Sequence, residues 1–159
     1  MNKRVLSVLV DNTSGVLNRV AGLFSRRGYN IDSLTVGVTE DPRYSIMTIV
    51  VMGDDDILEQ IEKQIRKLED VREVEVLGEG TSVFRELILA KVKTIPSKRQ
   101  EVMAVADVFR AKIVDVSKDS LMIELTGNQQ KLEAFLDLLS DYEITLVRTG
   151  ITGLSRGFK

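Results

Sequence analysis

The order in which apolar periodicity changes along the chain restricts the fold more than any other feature. Residues 4–10 alternate, with Leu6, Val8 and Val10 on one side and Val5, Ser7 and Leu9 on the other, which is the period of a strand. Val16, Leu17, Val20, Ala21 and Phe24 then recur on one face of a helix spanning about 15–27. Residues 30–39 are extended, Glu40-Asp41-Pro42-Arg43 is a turn, and the β-branched run 44–52 is a third strand. Leu58, Ile61, Ile65 and Leu68 stripe a second helix opened by Asp54, Asp55 and Asp56, and Val74 and Val76 mark a fourth strand. Strand, helix, strand, strand, helix, strand is the ferredoxin-like unit.

The same order follows a boundary at Gly78-Glu79-Gly80-Thr81-Ser82. Phe84–Val92 is a strand, and Ser97 with Gln100 reads as a capping box for a helix carrying Val102, Val105, Ala106 and Phe109. Ile113–Val116 and Leu121–Thr126 pair around Lys118-Asp119-Ser120. Asn128 caps a helix bearing Leu132, Phe135 and Leu139, and Ile144, Leu146 and Val147 begin a last strand. The repeat is one of topology and not of sequence. The expected architecture is α+β, two tandem ferredoxin-like (βαββαβ) domains at 1–77 and 84–159 joined by a linker at 78–83. Each half is small and thin-cored, with free sheet edges, so pairing with a second copy is expected.

Composition removes whole classes of function. Among 159 residues there is no His, Cys or Trp. The commonest general base, metal ligand and thiol nucleophile are therefore missing, and with them structural zinc. A net charge of −2 and 5% aromatic residues argue against a nucleic-acid surface, whether electrostatic or stacking. No apolar run is long enough to cross a bilayer and none reads as a secretory segment, so the cytoplasm is the expected location.

The first strand–helix junction is the candidate binding feature. Asp11, Asn12, Thr13, Ser14 and Gly15 form a polar turn before the helix, whose unpaired N–H groups and dipole favour an anion such as a carboxylate. Thr13 or Ser14 is expected to cap the helix. Arg26 and Arg27 sit in its last turn, and Gly28 is placed to close it in the left-handed conformation. Asn30 then opens the next strand. The Asp54-Asp55-Asp56 cluster could be imagined as a magnesium site. Acids at a helix start complement its dipole, and adjacent acids offer few convergent ligands, so capping is the better reading. The glycines at 78 and 80 and at 150, 153 and 157 lack the spacing of a dinucleotide fingerprint.

Leu9 to Leu17, followed by Arg19 to Val36 (RVAGLFSRRGYNIDSLTV), closely resembles the small regulatory subunit of acetohydroxyacid synthase (acetolactate synthase), whose N-terminal half is an ACT domain. Further similarity lies in Glu59–Gln64, Phe84–Leu87, Phe109-Arg110, Asp115-Val116 and the tail Gly153–Gly157. Two departures are visible: Ile46 stands where relatives often carry Arg, and Ala111 where they often carry Gly.

The resemblance implies a chain that does no catalysis and carries no cofactor. It would activate a catalytic large subunit, on which thiamine diphosphate, magnesium and FAD are expected, and make it sensitive to branched-chain amino acids, usually valine. The effector would sit between two ACT domains of a homodimer. Asn12 and Gly15 of one protomer would face Asn30 and Ile31 of the other, with Val16 and Leu17 as further apolar neighbours. Residue chemistry agrees: N–H groups at Gly15 suit a carboxylate, an Asn amide can accept from an ammonium group, and the aliphatic neighbours suit a branched side chain. A stand-alone ACT-type sensor acting on another partner is the alternative.

Overall fold

The computed structural model describes residues 2–158. The chain divides into two compact units, one made of residues up to Val83 together with those from Ile151 onward, the other of Phe84–Gly150. The tail from Ile151 thus groups with the first unit, whereas the sequence reading placed it in a domain of 84–159. The physical reason is a pair of anchoring hydrogen bonds: the Ile151 N–H donates to the Ser33 hydroxyl at 2.8 Å, and the Arg156 N–H to the Thr81 carbonyl at 2.8 Å.

In the first unit, β1 (Asn2–Asp11), α1 (Val16–Arg27), β2 (Ile31–Val38), β3 (Tyr44–Gly53), α2 (Asp55–Arg66) and β4 (Val71–Leu77) follow the expected order. The sheet is antiparallel with strand order β2-β3-β1-β4, so β2 and β4 are its edges. Register pairs Leu6 with Ile49 and Val8 with Met47, which puts the apolar alternation of both central strands on one side. That side packs against Val16, Val20, Leu23 and Phe24 of α1 and Leu58, Ile61 and Ile65 of α2. Leu68, expected in the α2 stripe, lies beyond the helix end but still packs on this core. The opposite sheet face follows the other alternation, Val5 with Val50 and Ser7 with Thr48. The tail strand β9 (Thr152–Ser155), which the sequence reading did not foresee, borders a cleft of about 360 Å³ with Thr35, Ile46 and Thr48 from that face.

In the second unit, β5 (Ser82–Lys93), α3 (Arg99–Val108), β6 (Lys112–Val116), β7 (Ser120–Gly127), α4 (Gln129–Leu138) and β8 (Ile144–Arg148) repeat the order, with strands arranged β6-β7-β5-β8. Its core joins Ile88 and Val92 to Val102, Ala106, Leu132, Phe135 and Leu139. Phe109 meets Phe135 edge-on at 5.5 Å between centroids. Both units are therefore ferredoxin-like, α+β.

Helix ends account for most differences in detail. Gly28 closes α1 at φ 68°, as expected, and Asn128 Oδ1 accepts from the Lys131 N–H at 2.9 Å. The capping box at Ser97 does not form. Pro96 starts a 3-10 turn over Pro96–Lys98 that takes up Ser97, and α3 begins after Lys98 with no side-chain cap. Asp54 precedes α2 in extended backbone but makes no side-chain cap; the acids of the first turn, Asp55 and Asp56, act through the dipole. The left-handed residue after α3 is Arg110, at φ 58°. Ala111 lies outside that region, and its N–H donates to the Ala106 carbonyl at 2.8 Å, so no glycine is needed there.

Candidate functional site

The turn between β1 and α1 is built by backbone first. Neither Thr13 nor Ser14 caps the helix. Gly15 occupies the capping position at φ 88°, ψ −11°, a left-handed conformation that costs other residues a steric clash, and no side chain caps the end. Without such a cap, N–H groups at the start of α1 face outward and keep their capacity to bind an anion.

Asn12 is tied to the β2–β3 turn. Its backbone N–H donates to the Arg43 carbonyl at 2.8 Å, and its side-chain Nδ2 donates to the Pro42 carbonyl at 3.0 Å. That bond uses Nδ2, and the amide oxygen Oδ1 keeps its capacity to accept. Around this turn lie three ion pairs. Arg72 grips Asp11 through Nε and Nη2, both at 2.8 Å, and Arg43 grips Asp41 at 2.7 Å. Arg19 pairs with Asp70 through Nε and Nη2. Hydrogen bonds from Arg72 and Arg43 hold the Asp11 and Asp41 carboxyls below the usual carboxylate range, and Asp70 holds the Arg19 guanidinium above its ordinary value.

The remaining predicted residues are placed as follows. Val16 is buried in the core and supports the helix start from beneath, while Leu17 is 46% exposed beside it. Ile31 is half-buried against the core, and Asn30 is exposed just before it. Asn12 and Gly15 precede α1, whereas Asn30 and Ile31 follow it. The helix has 12 residues, so the two pairs stand about 18 Å apart and do not meet within one chain. Sequence reasoning missed Arg19 and Asp70. The available signal was a cation in the first turn of a helix that has no acidic residue there, against the dipole.

Elsewhere, an open hollow of about 510 Å³ on the second sheet is lined by Lys91, Lys93, Asp115, Ser117, Asp119 and Glu143, where the Ser117 hydroxyl donates to Asp115 Oδ2 at 3.2 Å. Among the described residues no group of three or more acids is placed to hold a metal, and no helix is long and apolar enough to cross a membrane.

The first unit, with its four-stranded sheet and glycine-opened α1, is an ACT domain: residues 6–73 match the model of the AHAS small subunit-like ACT domain. Residues 85–157 match the model of the small subunit of acetolactate synthase. The chain is 49% identical over 159 aligned residues to the acetolactate synthase isozyme 3 small subunit of Salmonella typhimurium, covering 99% of this chain and 98% of that one. It is 52% identical over 158 residues to the probable acetolactate synthase small subunit of Archaeoglobus fulgidus, covering 99% of each. The crystal structure of the acetolactate synthase small subunit from Thermotoga maritima superposes with a TM-score of 0.89 at 42% identity over the full length of both chains. The chain belongs to the acetolactate synthase small (regulatory) subunit family.

Proposed function

We propose that this chain activates a thiamine-diphosphate-dependent catalytic subunit, does no chemistry itself, and transmits feedback inhibition by a branched-chain amino acid, with valine the first candidate. The observation that carries the effector reading is the glycine-opened start of α1 beside Asn12. Outward N–H groups suit a carboxylate, and Asn12 Oδ1 suits an ammonium group, so the turn is polarised to read an α-amino acid. Leu17 and Ile31 supply aliphatic neighbours.

The separation of Asn12 and Gly15 from Asn30 and Ile31 supports a site completed by a second protomer. Edge strand β2 offers the means. Register pairs Val38 with Ser45 and Asp11 with Tyr44, so the Asn12 turn lies at the Val38 end of the sheet. Antiparallel pairing of two β2 strands about a twofold axis sets Ile31 of one copy beside Val38 of the other. Each Asn12–Gly15 turn then faces the partner's Asn30 and Ile31. Val36 and Val38, 48% and 62% exposed, lose water in the same contact. A ligand held at such a junction is linked to quaternary arrangement, as allosteric control requires.

The test is reconstitution. The purified chain is expected to form no acetolactate from pyruvate with thiamine diphosphate and magnesium, to raise the turnover of a cognate catalytic subunit, and to make that turnover fall with valine. Calorimetric valine binding without any activation would favour a stand-alone sensor instead. Leucine, isoleucine and an unbranched amino acid complete the series, since a methylene is worth only about 1–3 kcal/mol in an apolar pocket.

A further inference from the structure

Arg19 stands where a helix gains least from a cation. It lies in the first turn of α1, next to the positive end of the dipole, with no acidic residue in that turn to offset it. Its ion pair reaches instead to Asp70, just before β4. Nε and Nη2 both donate to that carboxylate, the latter at 3.1 Å, so the guanidinium plane is fixed by two bonds. Asp70 is itself held, because its backbone carbonyl accepts from the Asp11 N–H at 2.9 Å. The Arg19 side chain remains 52% exposed, and an exposed pair of this kind adds little to stability.

The two bonds to Asp70 leave Nη1. This nitrogen lies over the start of the helix: a Cβ built on Gly15 would come within 2.8 Å of it. Gly15 therefore meets two demands at once, a left-handed backbone and room for a guanidinium. Arg19 Nη1 thus sits beside Gly15, the residue that opens the helix, in the same turn that carries Asn12.

We infer that Arg19 is the carboxylate-reading residue of the effector site, with Asp70 as the residue that positions it. This inference rests on the effector reading proposed above. Nη1 and the N–H groups at Gly15 take the α-carboxylate of the ligand, and Asn12 Oδ1 takes its ammonium group. The site then selects for a free carboxylate as well as for a branched side chain. An amino-acid amide, which keeps the ammonium group and the side chain but lacks the anion, is discriminated against at Arg19.

Calorimetric titration of the complete chain with L-valine and with L-valinamide tests this. The wild-type chain is expected to prefer valine. Arg19→Gln should weaken valine by about 10- to 150-fold, the range for a lost hydrogen bond to a charged group, and leave valinamide nearly unchanged. The preference for the free acid collapses. Arg19→Lys should restore part of it, as a point charge without the fork. Asp70→Asn keeps the guanidinium but loosens it, and should lower valine affinity by a smaller factor with valinamide again unaffected. Valine affinity unchanged in Arg19→Gln overturns the assignment. So does an equal loss for both ligands, which marks a structural role. If Arg19→Gln does not fold by circular dichroism, Asp70→Asn decides by the same ratio. Failure of the wild-type chain to bind valine, leucine or isoleucine removes the effector reading itself, and Arg19's role with it.

Discussion

The backbone N–H of Ile151 donates to the hydroxyl of Ser33 at 2.8 Å, across 118 positions of sequence. This bond fixes the point at which the chain returns to the first unit and starts the tail strand along the cleft shared with Thr35 and Ile46. Ser33→Ala leaves that N–H without its acceptor. The expected cost is about 1 kcal/mol. Amide exchange at residues 151–155 should accelerate while exchange in β1 and β3 stays unchanged.

Val38 is 62% exposed on the edge strand β2. Placing a charge there blunts an edge against pairing. Val38→Lys should convert the dimer expected at micromolar concentration into a monomer by sedimentation. Valine binding should fall with it, although Asn12, Gly15 and Asn30 are all intact. A monomeric wild-type chain, with and without valine, would contradict the two-protomer site.

Asn12→Ala should raise the valine inhibition constant by about 10- to 150-fold, through loss of a bond to a charged ligand group. Activation of the catalytic subunit should persist. The substitution also removes the bond to the Pro42 carbonyl, so the melting temperature should fall modestly. Asn30→Ala should give the same inhibition phenotype. An unchanged inhibition constant in both variants would end the assignment of these residues, whatever happens to stability.

Acid sensitivity follows from the ion pairs beside the turn. The hydrogen bond from Arg72 depresses the Asp11 carboxyl, and that from Arg43 depresses Asp41. A carboxyl whose folded-state pKa lies below its unfolded value of about 3.9 contributes stability above that pH and loses it as pH falls through the lower folded value. The melting temperature should therefore decline on acidification below about pH 4. Asp11→Asn should make that limb shallower and lower the melting temperature at neutral pH, where the ionised carboxylate pairs with Arg72.

The strands and helices of both units were legible because apolar spacing alone distinguishes Leu6, Val8 and Val10 from Leu58, Ile61 and Ile65. Helix starts were less so. Thr13, Ser14 and Ser97 all have capping chemistry, but a left-handed Gly15 and a 3-10 turn at Pro96 decide where α1 and α3 begin. The tail strand carries one aliphatic residue, Leu154, in four, too little to show a period. Asn12 and Gly15 stand out through the polar turn at a helix start, whereas their pairing with Asn30 and Ile31 of a second chain comes from resemblance to a family. Arg19 and Asp70 are 51 positions apart, and only the fold joins them.

The return of the tail also has a meaning in time. A ribosome finishes β1 to β4 long before it reaches Ile151. At roughly 5–20 residues per second, the wait between Val83 and Ile151 is roughly 3–14 s. For that interval the four-stranded ACT sheet stands without the tail segment beside it, and Ser33 still has water in place of the Ile151 N–H. The segment that returns to the ACT sheet is made well after its four strands, so edge strand β2 is available for pairing with a second chain before the tail arrives.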